Sequence, residues 1–274
     1  MNNIKNIFLL YILSCSFLLL PGNNYHIGLC IMATGKYISF VQSLLDSAEK
    51  YFCQHHKKTY FIFTDAAQSV NDEVRVALDD LLSVPYKDNI VIIEQKRLGW
   101  PYDTLMRFVV YHEHKELFAS TDYMFATDAD MLFVGEEGDE ILGERVATQH
   151  PGFEKNKPLW GDEAPYDRNP LSTAYIPHGA GEYYFAGGFY GGTTNEFITM
   201  SSIITKNIFA DLDQHKYVAV WHDESHLNRY FIDHKPTIML DRSYCYPENG
   251  QRKGYPDCTP KLLALDKNHD EIRE

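Results

Sequence analysis

Four consecutive residues in the C-terminal third of the chain combine an aromatic ring, an imidazole and two carboxylates: Trp221, His222, Asp223 and Glu224. Sugars present an apolar ring face to aromatic side chains and hydroxyl groups to carboxylates, so this mixture suits a sugar-binding site. The same residues also fit the start of a surface helix, with Asp223 as its cap and Trp221 in the core. The spacing alone supports the two interpretations equally.

A second pair of carboxylates stands in the segment Asp128-Ala129-Asp130, directly after an apolar stretch that is typical of a strand. Two carboxylates at this spacing can bind one divalent cation, whose remaining positions then accept diphosphate oxygens. Phosphatases with an aspartyl nucleophile share this pattern, but they need a small Gly-Thr pair after the second aspartate. This chain has Met131-Leu132 there, which argues against that class.

A glycine-rich segment, residues 182–192, interleaves four glycines with aromatic residues. Glycines in a strand leave space beside the backbone where a ligand can approach closely, although a bulge or a tight bend explains them equally well. His150-Pro151-Gly152-Phe153, taken by itself, predicts an ordinary turn.

Strands and helices alternate through the first half of the chain. Periodicity predicts strands at residues 25–33, 60–63, 91–94 and 123–126, and helices at 37–54 and 103–118. This order indicates a mostly parallel α/β sheet, in which ligands bind at the carboxyl ends of the strands. From about His150 the periodicity weakens, and we expect loops and short elements that build an acceptor site on the same single domain.

Composition limits the classes of ligand. The formal net charge of −13 repels a phosphate backbone, so we expect no nucleic-acid partner, and a nucleotide ligand would need a metal or local cations. The five cysteines form no zinc pattern. We expect Cys30 in the core, while Cys245 and Cys258 are candidates for a disulfide if the protein faces an oxidising compartment.

Residues 1–24 form an apolar leader before a predicted catalytic domain at residues 25–274. Its apolar run, residues 7–20, would span about 21 Å as a helix, less than the roughly 30 Å of a bilayer core. It is typical of a signal-peptide core or a short membrane anchor. We therefore expect association with a membrane through this segment, with a soluble cytoplasmic enzyme as the alternative.

Taken together and in order, these segments resemble glycosyltransferase family 6, which contains the histo-blood-group A and B transferases and the α-1,3-galactosyltransferases. The resemblance covers roughly residues 25–273, and in length the chain is similar to bacterial members. The matching segments are residues 33–37, 63–65, 99–101 with Arg107, 128–130, 150–153, 174–177, 184–192, 221–228, 234–237 and 267–269.

The resemblance implies a GT-A fold with a Rossmann-like, mostly parallel sheet flanked by helices. It also implies transfer of galactose or N-acetylgalactosamine, with retention, from UDP to the 3-hydroxyl of an acceptor galactoside, which in this family can be fucosylated. Glu224 would be the catalytic carboxylate, acting as a nucleophile or as a stabiliser of an oxocarbenium-like centre.

Further roles follow from matching positions. The donor-binding residues would be Met32, Ala33, Thr34, Tyr37, Arg107, Asp128, Ala129, Asp130, Ala186, Gly187, Gly188, Asp223, Lys267 and Arg273. The acceptor-binding residues would be His150, Trp221 and, after a one-residue shift, Glu248.

The resemblance also makes Asp128 and Asp130 the ligands of Mn²⁺. Many bacterial members carry Asn at both positions, so the two aspartates predict that this chain depends on a metal. In the family, the first and third residues of the triplet Ala186-Gly187-Gly188 shape the pocket around C2 of the donor sugar. Small residues at both favour UDP-N-acetylgalactosamine, with UDP-galactose as the alternative donor. A non-catalytic carbohydrate-binding protein of the same fold is the alternative of another class.

Overall fold

The structure is a computed structural model, and it describes residues 23–153, 161–252, 254–255 and 257–273. The predicted apolar leader lies outside these ranges, apart from residues 23 and 24. In the described ranges, no helix combines the length and the apolar character that are needed to cross a bilayer.

The described strands and helices alternate as predicted in the first half of the chain. The strands are β1 (His26–Met32), β2 (Lys57–Thr64), β3 (Ile90–Glu94), β4 (Tyr123–Asp128), β5 (Met131–Phe133), β6 (Arg145–Gln149), β7 (Phe185–Thr193), β8 (Ile238–Leu240), β9 (Tyr246–Pro247) and β10 (Leu262–Ala264). The α-helices are α1 (Ile38–Tyr51), α2 (Asp72–Leu81), α3 (Tyr102–Leu105), α4 (Arg107–Glu113), α5 (Thr194–Ala210), α6 (His222–Asp233) and α7 (His269–Arg273).

Seven strands form one sheet in the order β3-β2-β1-β4-β7-β6-β8. Strands β3, β2, β1 and β4 are parallel, β7 is antiparallel to both β4 and β6, and β8 is parallel to β6. A small second sheet has the order β5-β10-β9. The predicted α/β architecture, with a mixed, mostly parallel sheet flanked by helices, is confirmed, and it is consistent with the GT-A fold that the resemblance implies.

The sheet separates two apolar cores. Alternate residues of β1 point to opposite faces, so that Leu29 and Ile31 pack on the side of α1 and α2. Cys30 is fully buried on the other side, against α4, α5 and α6, as expected from its apolar surroundings.

The helix predicted at residues 103–118 is divided into α3, α4 and a terminal 3-10 turn at Lys115–Phe118. The prediction of loops and short elements from about His150 is wrong in part, because the nine-residue strand β7 and the 17-residue helix α5 lie there. Helix α5 turns Thr194, Ser201 and Thr205 toward the interior, where their hydroxyl groups bond to backbone or threonine oxygens. These polar residues interrupt the helical spacing of apolar residues by which a helix is predicted from sequence.

Strand pairing brings the predicted functional segments together. Met32, the last residue of β1, lies opposite Asp128, the last residue of β4. On the other side of β4, Thr127 pairs with Phe189, so Gly187 and Gly188 of β7 lie beside Asp128. The sheet therefore gathers the DxD segment and the glycine-rich segment at one edge.

Candidate active site

A cleft of about 240 Å³ opens at the carboxyl ends of β1 and β4. Many of the predicted donor-binding residues line it, namely Met32, Thr34, Tyr37, Arg107, Asp128, Ala129, Asp130 and Lys267. The cleft also includes residues without a predicted role, which are Arg97, Trp100, Asp103, Thr104 and Ile272. The predicted nucleotide site and metal site are thus parts of one cavity.

Arg107 connects three segments of the site. The guanidinium is buried, and its Nη2 donates to Asp128 Oδ1 at 2.8 Å. Its Nη1 donates to the backbone oxygen of Gly187 at 3.0 Å, and its Nε lies 3.0 Å from Asp223 Oδ2. Burial raises the pKa of Asp223 to about 6, while the positive charge of Arg107 opposes this rise. Arg107 therefore holds both Asp128, a predicted metal ligand, and Asp223, a predicted donor-binding residue.

Glu224 lies in the first turn of α6 and is held by two donors. The hydroxyl of Tyr184 donates to Oε1 at 2.7 Å, and the backbone N–H of Gly187 donates to Oε2 at 2.7 Å. Burial raises the pKa of Glu224 to about 7, and both hydrogen bonds oppose that rise. The carboxyl group is therefore fixed in orientation and titrates near neutral pH.

The amide of Asn228 joins α6 to the beginning of β7. Its Oδ1 accepts from the N–H of Phe185 at 2.8 Å, and its Nδ2 donates to the carbonyl of Phe185 at 2.8 Å. The same Nδ2 group donates to the carbonyl of Glu224 at 2.9 Å. Because Phe185 follows Tyr184 directly, this amide sets the distance between Glu224 and one of its hydrogen-bond donors.

Asp128 and Asp130 face the same cleft, and both have features of a cation site. Oδ1 of Asp128 is bound by Arg107, whereas Oδ2 lies 3.6 Å from the position that a Cβ on Gly188 would occupy. Burial and the charge of Asp128 raise the pKa of Asp130, and the ammonium group of Lys267 contacts its carboxylate and opposes this rise. The side chain of Asp130 is buried, whereas that of Asp128 is 37% exposed. Two carboxylates that line the same cleft can both bind one divalent cation.

Across the ranges that the structure describes, no group of three or more His, Cys, Asp and Glu side chains is arranged to hold a metal ion. Two aspartates supply only part of the six or more oxygen ligands that such a cation takes. A bound nucleotide diphosphate would have to supply others, which agrees with a metal that binds together with the donor.

The predicted acceptor residues occupy different surroundings. His150 packs against Tyr184, with 5.8 Å between the ring centroids, and burial lowers its pKa to about 4. Trp221 is 48% exposed, which contradicts the interpretation that placed it in the core, and Asp223 pairs with Arg107 and does not cap the helix. Glu248 is exposed, and its Oε2 accepts from the N–H of Asp266. Within the described residues, no contact joins Glu248 to His150 or Trp221.

The remaining predicted donor-binding residues lie in the core, in β7 or in the C-terminal segment. Ala33 and Ala186 are buried in the core, whereas Gly187 bonds to both Arg107 and Glu224. Lys267 lies 5.1 Å from the ring centroid of Tyr37. The backbone of Arg273 ends α7, but its side chain lies outside the described part of the chain.

Sequence analysis assigned no role to Tyr184, Asn228 or Trp100, and it considered Cys245 only as a candidate for a disulfide. Trp100 lines the cleft and packs edge-on against His222, with 4.6 Å between the ring centroids. Tyr184 and Asn228 lie inside segments that the sequence had marked, but only the fold shows that they point at Glu224. Cys245 is a buried thiol without a disulfide, and it lies beside Gly188.

Comparisons with known proteins agree with this site. A family model described as Glycosyltransferase family 6 matches residues 12–274. The chain is 34% identical over 254 residues to histo-blood group ABO system transferase 1 of Rattus norvegicus, covering 91% of this chain and 69% of the relative.

It is also 34% identical over 257 residues to globoside alpha-1,3-N-acetylgalactosaminyltransferase 1 of Gallus gallus, covering 91% of this chain and 70% of the relative. The human protein of that name is 32% identical over 254 residues, which cover 91% of this chain and 69% of the human protein. With the cleft, the paired aspartates and the oriented Glu224, these matches show that the chain belongs to glycosyltransferase family 6 and is a glycosyltransferase.

Proposed function

We propose that this glycosyltransferase moves N-acetylgalactosamine from UDP-N-acetylgalactosamine to the 3-hydroxyl of an acceptor galactoside and retains the anomeric configuration. The observation that carries the proposal is the position of Glu224, held by Tyr184 and Gly187 beside the Arg107 cluster. A fixed carboxylate beside the cleft can act as a nucleophile or stabilise an oxocarbenium-like centre in a glycosyl transfer with retention.

The names of two relatives support the choice of reaction. The Gallus gallus and human proteins are named as alpha-1,3-N-acetylgalactosaminyltransferases that act on globoside. The acceptor proposed here is a galactoside, and the linkage proposed is the same α-1,3 linkage.

In this proposal the first half of the chain holds the nucleotide. Met32, Thr34 and Tyr37 line the end of the cleft next to β1, and the ring of Tyr37 would face the uracil. Arg107 and Asp223 offer a donor and an acceptor to the hydroxyl groups of the sugar. Their mutual ion pair keeps both groups in place before the donor binds.

Glu224 would act at the anomeric carbon, on the face opposite to the departing UDP. An ionised carboxylate there can stabilise an oxocarbenium-like centre or attack it to form a covalent intermediate. With a pKa of about 7, the group is partly ionised at neutral pH. His150 and the exposed ring of Trp221 would bind the acceptor next to this centre.

Asp128 and Asp130 would hold a divalent cation, which we propose to be Mn²⁺. When bound, such a cation neutralises negative charge that develops on the diphosphate of the leaving group. Lys267, already beside Asp130, adds a second positive charge to this end of the cleft.

The proposed donor preference rests on the resemblance to the family. Ala186, Gly187 and Gly188 carry no side chain larger than a methyl group, and small residues at the first and third of these positions favour N-acetylgalactosamine there. The direct test offers UDP-N-acetylgalactosamine and UDP-galactose to purified protein together with a fucosylated galactoside. We expect faster turnover of UDP-N-acetylgalactosamine and an α-1,3 linkage in the product by NMR. Faster turnover of UDP-galactose would overturn the donor assignment, and absence of transfer from both would overturn the function.

Removal of the metal tests the role of the two aspartates separately. We expect transfer to stop in the presence of a chelator and to return when Mn²⁺ is added in excess. A rate that the chelator leaves unchanged would contradict the proposed cation.

A further inference from the structure

The exposed ring of Trp221 belongs to a short segment, residues 217–221, that directly precedes α6. The backbone of this segment is bonded to side chains on both sides. The N–H of Val220 donates to Oδ2 of Asp167 at 3.0 Å, and the N–H of Trp221 donates to Oγ of Ser225 at 2.9 Å. Ser225 belongs to the adjoining helix, whereas the contact with Asp167 spans 53 residues of sequence. A residue with no predicted role therefore holds the backbone directly before the ring.

Asp167 is 1% exposed, and its carboxylate contacts the same segment a second time. The hydroxyl of Tyr217 donates to its Oδ2 at 3.1 Å. Its Oδ1 accepts from the N–H of Asn169 at 2.9 Å, within the loop at residues 167–176. Hydrogen bonds to a carboxylate are stronger than those between neutral groups. The side chain of Asp167 thus joins segment 217–221 to this loop at two points.

The loop at residues 167–176 is fixed in its turn by another buried carboxylate. Asp211, which directly follows α5, is 1% exposed. It accepts from the hydroxyl of Ser172 at 2.6 Å and from the N–H of Thr173 at 2.7 Å. The loop carries most of residues 174–177, which match the family but have no role in the proposed function. It is a support on which segment 217–221 can be held.

The turn that follows Trp221 needs such support. His222, the first residue of α6, has a φ of 51°, in the left-handed region that residues with a side chain rarely adopt. It lies between Trp221 and Asp223, so its conformation sets the orientation of these two residues relative to each other. A strained backbone persists only where surrounding contacts hold it. The bonds that Asp167 and Ser225 accept just before this residue are contacts of that kind.

From these contacts we propose that Asp167 is a positioning residue for the acceptor. It acts through Trp221, whose backbone it holds by bonding to Val220 and Tyr217. The inference rests on the proposed function, because it assumes that Trp221 binds the acceptor. Asp167 lies outside the described lining of the donor cleft. Its loss should therefore weaken binding of the acceptor and leave binding of UDP unchanged.

The experiment measures two dissociation constants of the full chain by calorimetry: that of UDP with Mn²⁺, and that of a fucosylated galactoside added to the UDP complex. Asp167→Ala removes both hydrogen bonds to segment 217–221. We expect the Kd of the galactoside to rise about tenfold and the Kd of UDP to stay the same.

Asp211→Ala is the matched control. It removes an equally buried carboxylate, which bonds to Ser172 and Thr173 and, within the described residues, has no printed bond from its side chain to segment 217–221. We expect a similar loss in the free energy of unfolding, measured in urea, because each variant leaves buried donors without an acceptor. The Kd of the galactoside should rise by no more than about twofold in this control.

Tyr217→Phe tests the same contact with a smaller change, since it removes only one hydroxyl. We expect the Kd of the galactoside to rise about threefold, because Val220 keeps its bond to Asp167. In a background of Trp221→Ala, neither Asp167→Ala nor Tyr217→Phe should weaken binding further. The ring through which both residues act is then already absent, so their effects do not add to its loss.

The outcomes separate this inference from the proposed function. Equal effects of Asp167→Ala and Asp211→Ala on the Kd of the galactoside, or losses that add to that of Trp221→Ala, would overturn the role of Asp167 alone. If Asp167→Ala does not fold, an unchanged Kd in Tyr217→Phe does the same. Trp221→Ala that binds the galactoside as tightly as the wild type would overturn the proposed acceptor site, and this inference with it.

Discussion

At the scale of the residue, the site depends on how the fold changes the acidity of Glu224. Burial raises its pKa and the hydrogen bonds limit that rise, and the resulting value of about 7 leaves about half of the groups neutral at that pH. The hydroxyl of Tyr184 and the N–H of Gly187 favour the ionised form. In the proposed function Tyr184 is a positioning residue, since it would act on the sugar only through its hydrogen bond to Glu224.

Replacement of Tyr184 by Phe should move the pH dependence of the reaction. Loss of the hydrogen bond raises the pKa of Glu224 further, so a higher pH is needed to ionise the carboxyl group. We expect the acid limb of the kcat profile to move up by about one pH unit, since a hydrogen bond to a charged group is worth at least 1.5 kcal/mol.

Tyr166→Phe is the matched control for this change. Its hydroxyl donates to the backbone oxygen of Tyr183, and its ring packs against Tyr184, but it makes no bond to Glu224. An acid limb that moves equally in both variants, or in neither, would refute the role given to Tyr184.

At the scale of the element, the site is built at the junction of β7 and α6. The sequence alone left the role of each element open. The glycines of β7 also fit a bulge, and Trp-His-Asp-Glu at the start of α6 also fits a capped helix. Their meaning depends on Asn228, whose amide bonds to both backbone groups of Phe185. A contact across 43 residues of sequence has no local signal.

Replacement of Asn228 by Ala should weaken this junction. The buried N–H and C=O of Phe185 would lose their partners, and we expect the free energy of unfolding to fall by about 2 to 4 kcal/mol. Transfer should slow as well, because Glu224 and Tyr184 lose their fixed separation. Urea unfolding and steady-state kinetics measure the two effects.

The control for Asn228 is Asn71→Ala at the start of α2. Its side chain accepts from the N–H of Glu73 as a helix cap, and its loss should cost about 1 kcal/mol without slowing transfer. If Asn228→Ala behaves like this surface cap, the junction does not depend on the amide.

At the scale of the whole molecule, the C-terminal segment returns to the beginning of the chain. Lys267 contacts Asp130 and lies near the ring of Tyr37, and Lys36 donates to the carbonyl of Glu271 at 2.9 Å. Strand β10 pairs with β5, which directly follows Asp130. The last residues of the chain therefore form part of the wall around the donor cleft.

Replacement of Lys267 by Met should weaken the binding of UDP. The variant loses a positive charge beside the proposed diphosphate position, and we expect the Kd to rise about tenfold in calorimetry with Mn²⁺ present. Lys261→Met is a comparable change outside the cleft, since Lys261 bonds to Glu140 and Tyr244. Equal affinities for UDP in the two variants would contradict a phosphate contact by Lys267.

The limits of sequence analysis follow from the same long-range contacts. Strands β1 to β4 have apolar runs, so their positions along the chain could be predicted from local pattern. The same pattern placed Asp128 at the end of β4. Helix α5 was not predicted because its buried face carries hydroxyl groups. The contact between Cys245 and Gly188 was not predicted because 57 residues of sequence separate them. Contacts between residues that are distant in the sequence become visible only in the folded chain.

The central claim, that Glu224 is the catalytic carboxylate of a glycosyltransferase, is tested most directly by Glu224→Gln. This change keeps the size of the side chain and removes its charge, so transfer should fall by about 100-fold or more while UDP binding is unchanged. Glu182→Gln, a change at an exposed position of the same glycine-rich segment, should retain full activity. Transfer by Glu224→Gln at the wild-type rate, measured with Mn²⁺ and UDP-N-acetylgalactosamine, would contradict the account.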